Sequence, residues 1–314
     1  MQIDLSVVIV NWNTCSYLRK CLASVELDRI SAMEVIVVDN ASVDGSQEMV
    51  EREFPQVKLI KNTSNLGFSR AANIGIKASK GRYILLLNPD SEVQPGALSV
   101  LVKFADSNPR AGLFGPKILN ADGSLQSSAR RFPTPLAALF RNTFLGRLFP
   151  NNQYVKQYLM ADWDHSSPRE VDWLSGAALM LRREMLDEIG LLDERFFMYC
   201  EDVDIAYRAK QKGWKAIYFP EAKIVHFLAK SSDQAPNKMI LTFHQSMYAF
   251  YKKHYADRWS LPIRVIIPVG IFARAALFIA NNYIQTFLRL LTLRGRREAT
   301  KKEQSSEPKA NAKE

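Results

Sequence analysis

Apolar runs of two kinds alternate along the first part of the chain. The runs "LSVVIV" and "EVIVVD" are rich in β-branched residues, which predicts strands over residues 5–10 and 34–39. Between them, residues 14–25 carry leucine and valine at helical spacing. Similar segments follow; they predict strands over residues 57–60, 82–87 and 113–115, and helices through Met49, over residues 69–78 and after Pro95. This alternation predicts an α/β fold with a mostly parallel central sheet and helices on both faces.

The pattern becomes irregular in the middle of the chain and then returns. "NADGS" at residues 120–124 predicts a hairpin turn. Residues 130–169 are rich in proline, asparagine and aromatic residues without a clear period, so we expect an irregular connection. From residue 172 onward, the pattern predicts a strand, a short helix, a loop, a helix over residues 201–212 and a pair of strands ending at His226. We assign all these elements to one domain over residues 1–230.

The C-terminal part has a different composition. We expect a helical extension over residues 231–260, followed by apolar, amphipathic helices over residues 261–293 that contain Pro268. Arg264, Arg274 and Arg289 interrupt this apolar segment, so it has no charge-free run of about 20 residues. We therefore expect an interfacial or re-entrant pair of helices at a membrane, with the arginines reaching the headgroups. The alternative is a buried helix pair that packs on the main domain or on a second subunit.

The basic residues of the chain narrow the range of candidate partners. The net charge is +10, and the tail over residues 294–314 is basic and lacks apolar residues, so we expect it to be disordered. Nucleic acid, phosphorylated substrates and an anionic membrane are the candidate partners, but no nucleic-acid-binding motif occurs, which disfavours nucleic acid. A basic tail beside an apolar segment fits the anionic inner leaflet of a cell membrane.

The cysteines and the N-terminal residues indicate a cytoplasmic protein. Cys15, Cys21 and Cys200 are odd in number and lack the spacing of a metal site, which is typical of a reducing compartment. The first residues, "MQIDLSVVIV", begin directly with a strand pattern and have no basic segment before an apolar one. We therefore expect a location at the cytoplasmic, inner face of the membrane.

Polar segments follow four of the predicted strands and helices. They are "NWN" at residues 11–13, "DNASVDGS" at residues 39–46, "NLGFSRAANIG" at residues 65–75 and "NPD" at residues 88–90. In open α/β sheets, ligands bind at the carboxyl ends of the strands, so we expect these segments to form one site. The apolar run "YILLL" stops at "NPD", where Pro89 removes a backbone donor and Asp90 brings a carboxylate to the edge of the sheet.

Each of these residues also has a purely structural interpretation. Asp39 could cap a turn, Gly67 could supply a turn with positive φ, and His226 could be a hydrogen-bonded core histidine. The acidic "EDVD" at residues 201–204 could simply favour a helix N-terminus. Neither G-x-G-x-x-G nor G-x-x-x-x-G-K-[ST] occurs, which disfavours dinucleotide oxidoreductases and P-loop hydrolases. A nucleoside diphosphate held by a divalent cation remains open.

Taken together, these segments resemble family 2 glycosyltransferases of the GT-A fold, and within them the bacterial rhamnosyltransferase-like group. The resemblance covers residues 5–227. The matching segments, in chain order, are "SVVIVNWN", "VIVVDNASVDGS", "NLGFSRAANIGI", "YILLLNPDSEV", "WLSGAALMLRR" and "LLDERFFMYCEDVDIAYRAKQKGWKAIYFPEAKIVHF".

The resemblance implies a role for each of the polar residues. The donor nucleotide would be bound by Asn11, Asn13, Asp39, Asn65, Gly67, Arg70, Asn73 and Asn88. The metal ligands would be Asp90 and His226. Asp202 would be the catalytic base, beside Glu201, and the sugar and acceptor pocket would include Trp173, Ser175 and Gly176. The family's D-x-D motif is "NPD" here, so that Asn88 replaces its first carboxylate and Asp90 is its principal anionic ligand.

The resemblance also implies an activity. It implies an inverting glycosyltransferase that uses Mg²⁺ or Mn²⁺ and a dTDP- or UDP-sugar, such as dTDP-rhamnose. The acceptor would be a hydroxyl of a polyprenyl-diphosphate-linked or cell-surface glycan, as in cell-wall or polysaccharide biosynthesis, and a homo-oligomer is compatible with it. One alternative is a processive synthase, which is disfavoured because "YADRW" at residues 255–259 lacks the glutamine of the Q-x-x-R-W motif. The other is a non-catalytic scaffold that binds sugar nucleotides at a membrane.

Overall fold

The computed structural model describes residues 3–141, 143–227 and 236–306, with side chains in the last helix as far as Thr286. The strands are β1 Leu5–Asn11, β2 Met33–Asp39, β3 Lys58–Lys61, β4 Tyr83–Leu87, β5 Ser91–Val93, β6 Ala111–Leu119, β7 Ala129–Arg130, β8 Arg169–Val171, β9 Trp173–Leu174, β10 Ala178–Arg182 and β11 Lys215–His226. The helices are α1 Cys15–Leu27, α2 Ser46–Glu53, α3 Phe68–Ala78, α4 Ala97–Asp106, α5 Pro135–Phe140, α6 Phe144–Leu148, α7 Gln153–Leu159, α8 Arg183–Ile189, α9 Glu201–Gln211, α10 Pro236–His254 and α11 Leu261–Ser306. A short 3-10 helix, Ala256–Arg258, joins α10 to α11.

One central sheet organises the domain. Within the described residues it has nine strands in the order β3-β2-β1-β4-β10-β6-β11-β5, and β8 pairs with β11. The strands β3, β2, β1 and β4 are mutually parallel, whereas β10 runs antiparallel to both β4 and β6. The sheet is therefore mixed, and the predicted α/β fold with helices around a central sheet is confirmed. The register pairs Asn11 with Asp39 and Ile9 with Leu87, so the carboxyl ends of β1, β2 and β4 lie at one edge.

The two faces of the sheet carry separate apolar layers. Side chains alternate along a strand, so Val7 and Ile9 of β1 pack with α1, α2 and α4, while Val8 packs with α3, α8 and α9. Each of these three side chains is at most 1% exposed. Because both faces are covered, a strand such as β4 is apolar at every position, as the run "YILLL" indicated.

Two predictions for the middle of the chain are wrong in detail. Residues 130–169, expected to be irregular, contain the three short helices α5, α6 and α7. Thr134, Thr143 and Asn152 cap these helices through their side chains, and such short helices leave no readable period. The expected pair of strands before His226 is one strand, β11, whose register with β6 shifts between Phe219 and Lys223. Pro220, which lacks a backbone donor, lies within this irregularity.

The C-terminal residues differ more strongly from the expectation. The structure has one helix, α11, where a pair was expected, and Pro268 lies inside it. A proline removes one helical hydrogen bond but does not prevent the helix from continuing when apolar residues flank it and a neighbouring helix supports it. Residues 294–306, expected to be disordered, are helical, and residues 307–314 lie outside the described residues. The predicted division of the chain into domains stays a prediction.

Helix α11 packs on α10 along one side and is open on the other. Asn282 Nδ2 donates to Asn237 Oδ1 at 2.7 Å, and Phe278 lies edge-on to His244. The segment Leu261–Thr286 is long and apolar enough to cross a membrane, and 6% of its most apolar part is buried. Arg264 is exposed, but Arg274 is half-buried and faces the main domain, so it does not extend outward as expected.

A charged cluster anchors α10 to the domain. Asp204 of α9 is fully buried; its Oδ1 accepts from Lys253 Nζ at 2.6 Å and from His254 Nε2 at 2.7 Å, and its Oδ2 accepts from Arg208 Nε at 2.8 Å. Lys253 also donates to Asp193 at 2.7 Å. Burial alone would raise the pKa of Asp204, but the hydrogen bonds from His254 and Lys253 outweigh it and lower that pKa. The last carboxylate of "EDVD" therefore has a structural role.

Candidate active site

The ends of β1 and β2 are joined by a buried polar network. Asn11 Nδ2 donates to Asp39 Oδ2 at 2.8 Å and to Ser42 Oγ at 3.1 Å. Asp39 Oδ1 accepts from Ser42 N–H at 2.8 Å and from Gln47 Nε2 at 2.7 Å. Asn11 and Asp39 have no exposed surface. The network therefore fixes the loop after β2, and both carboxylate oxygens of Asp39 already have donors within the protein.

Asn13 lies at the rim of this network. Its backbone is left-handed, with φ of 52°, and its Oδ1 accepts from Val43 N–H at 2.8 Å. Together with Asp44 and Tyr17 it borders a cavity of about 380 Å³. Asp44 Oδ2 accepts from Cys15 N–H at 2.7 Å and so holds the start of α1 against the loop after β2. Of the two predicted nucleotide-binding residues at the end of β1 and just after it, Asn11 is buried and Asn13 borders open space.

Gly67 is required where the chain enters α3. Its φ is +83°, and a Cβ atom there would lie 2.5 Å from the backbone oxygen of Phe197. The same oxygen accepts from Phe68 N–H at 2.6 Å, and Asn65 Oδ1 accepts from Gly67 N–H at 3.0 Å. This contact brings the loop before α3 against the loop that leads to α9.

Arg70 and Asn73, two further predicted nucleotide ligands, contact the same loop. Asn73 is buried; its Nδ2 donates to Leu192 O at 2.8 Å and its Oδ1 accepts from Leu192 N–H at 3.1 Å. Arg70 Nε donates to Glu194 Oε2 at 3.0 Å on the surface. In the structure these two side chains hold the loop before α9, and a role in binding the nucleotide stays a prediction.

The "NPD" segment lies beside His226 of β11. His226 Nε2 is 3.2 Å from Asp90 Oδ1 and 3.3 Å from Asn88 Nδ2. On the other side of the ring, His226 Nδ1 is 2.8 Å from Gln126 Oε1, and Gln126 Nε2 donates to Asn120 Oδ1 at 2.9 Å. The glutamine oxygen is only an acceptor, so Nδ1 carries the ring hydrogen. In the tautomer that this contact favours, Nε2 directs its lone pair towards Asp90.

These residues fit a divalent cation. An imidazole lone pair and a carboxylate oxygen repel each other unless a proton or a metal cation lies between them. Two neighbouring ligands in an octahedral site, each about 2.1 Å from the ion, are about 3.0 Å apart, which is close to the 3.2 Å seen here. Within the described residues, no group of three or more His, Cys, Asp or Glu side chains could hold a metal. A cation here would therefore need further ligands from phosphate oxygens and water.

Glu201 and Asp202 are two adjacent carboxylates at the N-terminus of α9. Asp202 Oδ2 accepts from Gly176 N–H at 3.0 Å, and its Oδ1 accepts from Val203 N–H at 2.8 Å. Glu201 is buried, and its Oε2 has no hydrogen-bond partner within the described residues. The residue before the helix, Cys200, is left-handed with φ of 66°, which turns the chain sharply into α9.

The environment separates the roles of the two carboxylates. Burial, together with the charge of Asp202, raises the pKa of Glu201 to about 8. Burial also raises the pKa of Asp202, but the hydrogen bonds from Gly176 and Val203 and the nearby charge of Arg130 oppose that rise. Of the two, Glu201 is the carboxylate whose ionised form is disfavoured more, because one of its oxygens has no hydrogen-bond donor within the described residues. Asp202, with a backbone donor on each oxygen, is the better placed of the two to be ionised, as a general base must be.

The segment "WLSGA" connects the carboxylate pair to the "NPD" segment. Gly176 N–H donates to Asp202, and the next residue, Ala177, accepts from Asn88 N–H at 2.9 Å through its backbone oxygen. Trp173 and Ser175 border a cavity of about 400 Å³ that Glu201 and Asp202 also border. The structure thus brings the predicted catalytic and sugar-pocket residues together, next to the predicted metal ligands.

Some residues of this region were not predicted from the sequence. Ser42 and Gln47 orient Asp39, Gln126 orients His226, and Arg130 lies with its guanidinium carbon 5.1 Å from the centre of the Trp173 ring. Ser42 lies in the polar segment at residues 39–46, so the sequence gave some indication that it belongs to the site. Gln126 is 100 residues from His226 and belongs to no motif, so no local pattern could have found it.

Comparison with known proteins identifies the family. The sequence pattern described as "Glycosyl transferase family 2" matches residues 6–190. An N-acetylglucosaminyl-diphospho-decaprenol L-rhamnosyltransferase of Mycobacterium tuberculosis is 31% identical over 92% of this chain and 97% of its own length. The rhamnosyltransferase WbbL of Escherichia coli is 26% identical over 70% of this chain and 82% of its own length.

Solved structures show the same fold. A mannosyltransferase of Pyrobaculum calidifontis, in complex with GDP-mannose and Mn²⁺, superposes with a TM-score of 0.55 at 18% identity, covering 91% of this chain and 81% of that one. GalNAc-T7 with UDP, GalNAc and Mn²⁺ superposes with a TM-score of 0.53 at 21% identity, covering 72% of this chain and 44% of that one. The chain therefore has the GT-A fold and belongs to glycosyltransferase family 2, as a rhamnosyltransferase-like glycosyltransferase.

Proposed function

We propose that this protein transfers a sugar from a nucleoside-diphosphate donor to a hydroxyl group of a lipid-linked glycan, with inversion at the anomeric carbon. The observation that carries the proposal is the position of Asp202. Its carboxylate is bound to Gly176 N–H, and the following residue, Ala177, holds the backbone of Asn88. This arrangement supports a catalytic base and a site for the donor diphosphate that are held by two consecutive residues, Gly176 and Ala177.

The transfer follows from the protonation states of the acidic pair. Asp202, ionised and directed by two backbone N–H groups, accepts the proton of the acceptor hydroxyl. The oxygen then forms a bond to the anomeric carbon as the bond from that carbon to the donor diphosphate breaks. One base and a single displacement on the opposite face give inversion. Glu201 keeps its proton, so the buried pair carries one negative charge before the step.

The metal and the donor are proposed on two different grounds. Asp90 and His226 would hold Mg²⁺ or Mn²⁺, and a divalent cation at that position would neutralise the charge that develops on the leaving diphosphate. The donor nucleotide would lie along the ends of β1 and β2, near Asn13. Since the Mycobacterium tuberculosis relative is an L-rhamnosyltransferase acting on a decaprenol-linked substrate, dTDP-rhamnose and an isoprenoid-diphosphate-linked N-acetylglucosamine are the first substrates to test.

Helix α11 supports a position on the inner face of the cell membrane. Its open side carries Ile266, Val269 and Leu277, which are between 63% and 70% exposed. Such a face is too apolar to remain in water and fits the boundary between lipid headgroups and acyl chains. The net charge of +10 adds attraction to anionic lipids.

Transfer from dTDP-rhamnose to a short-chain isoprenoid-diphosphate N-acetylglucosamine, with Mn²⁺ present, tests the proposal. We expect Asp202→Asn to lower kcat by about 100-fold or more, since general-base catalysis contributes 10²–10⁴-fold. Asp90→Ala should abolish metal-dependent transfer, whereas Asn88→Asp, which restores a second carboxylate, should be tolerated. Glu184→Gln, at an exposed glutamate of α8, is a matched control and should keep full activity.

The stereochemistry of the product and the binding of the donor test the inverting mechanism and the scaffold alternative. Nuclear magnetic resonance of the product should show the anomeric configuration opposite to that of the donor. Transfer at wild-type rates by Asp202→Asn would contradict the role of Asp202 as the base. Donor binding in calorimetry without turnover on any acceptor would instead favour the non-catalytic scaffold.

A further inference from the structure

Three arginines from distant parts of the chain border the cavity of the acidic pair. Arg130 is at the end of β7, Arg141 directly follows α5, and Arg274 lies in α11. All three border the cavity of about 400 Å³ that contains Glu201 and Asp202. The C-terminal helix thus contributes a positive charge to the same space as the predicted base.

The three arginines contact aromatic rings and neutral groups. Arg130 donates to Ser127 O at 3.0 Å, and Arg141 donates to Tyr158 Oη at 3.1 Å while its guanidinium lies over the same ring. Arg274 lies over Phe278, with its guanidinium carbon 5.0 Å from the ring centre. Among the described residues, no Asp or Glu forms an ion pair with any of these three arginines.

Like charges that are partly buried repel one another, although an ionised Asp202 interacts favourably with Arg130. Burial lowers the pKa of Arg141, and the neighbouring charge of Arg130 lowers it further. Arg274 in turn lies close enough to Arg141 for their charges to interact. By contrast, Arg264, on the same helix as Arg274, is exposed and lies 3.4 Å from Asp257. Binding of a multivalent anion between the three would remove this repulsion.

An apolar groove adjoins the cavity that the three arginines border. A second cavity, of about 650 Å³, is bordered by Arg274 and Phe278 and continues between α5 and α11 along Leu139, Ile267 and Leu277. Leu139 is 50% exposed and Leu277 is 70% exposed, so the groove opens on the side that carries the apolar surface of α11. A ligand bound at the arginines can therefore extend an apolar chain towards the lipid-facing side.

We propose that Arg130, Arg141 and Arg274 bind the diphosphate group of an isoprenoid-diphosphate acceptor. The first isoprenoid units would occupy the groove between α5 and α11, and the attached sugar would extend towards Asp202. Guanidinium groups suit this role because each presents paired N–H donors to phosphate oxygens. This inference rests on the proposed function and locates its acceptor subsite.

Direct binding without turnover tests this subsite separately from the transfer reaction. Farnesyl diphosphate is titrated into the protein with chelator present, so that no metal holds the diphosphate at Asp90. We expect Arg141→Gln and Arg274→Gln each to raise the Kd by about 10- to 100-fold, which is the usual loss for a charge-assisted hydrogen bond. Arg264→Gln, on the exposed side of the same helix, is the matched control and should bind like wild type.

Two further ligands test the diphosphate site and the apolar groove separately. Farnesol, which lacks the diphosphate, should bind at least tenfold more weakly to wild type and equally to all variants. Inorganic pyrophosphate should bind in the same arginine-dependent manner but more weakly than farnesyl diphosphate. Equal Kd values for wild type and both arginine variants, in protein whose melting temperature is unchanged, would refute the diphosphate site. Equal binding of pyrophosphate and farnesyl diphosphate would refute the apolar groove.

The arginine variants should bind the dTDP-sugar like wild type, because the proposed subsite binds the acceptor and not the donor. The acceptor subsite and the transfer reaction can therefore fail independently. If the arginine variants bind farnesyl diphosphate weakly while wild type shows no transfer from any donor, the subsite stands and the proposed reaction fails. If transfer occurs and Arg274→Lys restores the acceptor KM that Arg274→Gln raises, both stand.

Discussion

Two adjacent carboxylates, Glu201 and Asp202, differ in proton affinity because they receive different hydrogen bonds. Asp202 receives two backbone hydrogen bonds, whereas one oxygen of Glu201 has no partner within the described residues. A buried, unsolvated carboxylate is much costlier as an anion than as an acid. This difference favours the proton on Glu201 over Asp202. The sequence "EDVD" shows four helical positions with three acids, but it cannot show which acid is desolvated.

Replacement of Glu201 by glutamine should change how stability depends on pH. Folding raises the pKa of Glu201 from about 4.5 to about 8, so between these values the folded protein binds more protons than the unfolded chain. Stability of wild type must then fall as pH rises through this window, and the neutral glutamine does not contribute to that fall. We expect the melting temperature of Glu201→Gln, relative to wild type, to rise between pH 5 and pH 8.5.

Thermal denaturation at a series of pH values measures this difference. Glu184→Gln, at an exposed glutamate of α8, provides the background. Parallel curves for wild type and Glu201→Gln would show that Glu201 is ionised throughout and would remove the argument for its proton.

At the level of elements, α9 joins the catalytic site to the C-terminal helices. Asp202 faces Gly176 on one side of α9, while two residues later Asp204 binds Lys253 and His254 of α10. Helix α10 in turn supports α11, which carries Arg274. The proposed acceptor side of the cavity is therefore held in place through a cluster for which no part in the reaction is proposed.

We expect Asp204→Asn to lower the free energy of unfolding by about 3–5 kcal/mol, because it leaves the charge of Arg208 without a carboxylate partner and that of Lys253 with Asp193 alone in a buried cluster. Urea denaturation followed by circular dichroism measures the change. Asp202→Asn, in the same helix, is the control, since it should lose activity while keeping most of its stability. Equal stability of Asp204→Asn and wild type would show that α10 is held by apolar packing alone.

The elements that could be predicted from the sequence are those with long, regular patterns. The strands β1, β2 and β4 and the helices between them have enough apolar residues for their period to be read, and their polar ends marked Asn11, Asp39 and Asp90. Helices α5 to α7 could not be predicted because each has at most seven residues and lies in a segment rich in proline and asparagine, where no apolar period can be read. Their start depends on a capping side chain more than on a period.

The side chains that support the site could not be predicted, for a different reason. Gln126 and Arg141 have no motif around them, and their partners are set by the packing of distant segments. The pattern of residues 261–293 did indicate an apolar C-terminal segment. It could not show that one side of α11 packs on α10 while the other stays open, because both sides are apolar.

At the scale of the whole molecule, charge and apolar surface act together. The open side of α11 should bind anionic vesicles, since burial of its side chains in the lipid interface is favourable by about 25 cal/mol per Å². We expect the double variant Ile266→Lys with Leu277→Lys to lose at least tenfold in affinity for phosphatidylglycerol-containing vesicles in a sedimentation assay.

The added charge itself needs a control. Leu27→Lys adds a lysine at a leucine of α1 that is 90% exposed, and it should bind vesicles at least as well as wild type. If the double variant instead converts a dimer to a monomer in light scattering while vesicle binding is unchanged, the open side of α11 is a subunit interface.

The backbone at Gly176 and Ala177 has a thermodynamic consequence. One residue binds the base and the next holds the segment predicted to carry the donor diphosphate, so a shift of either partner is transmitted over a single peptide bond. Such coupling is reciprocal: if donor binding changes the proton affinity of the acidic pair by some factor, protonation changes donor affinity by the same factor. The donor would then act as a ligand that sets the basicity of the carboxylate that deprotonates the attacking hydroxyl, and donor titrations at several pH values would measure that factor.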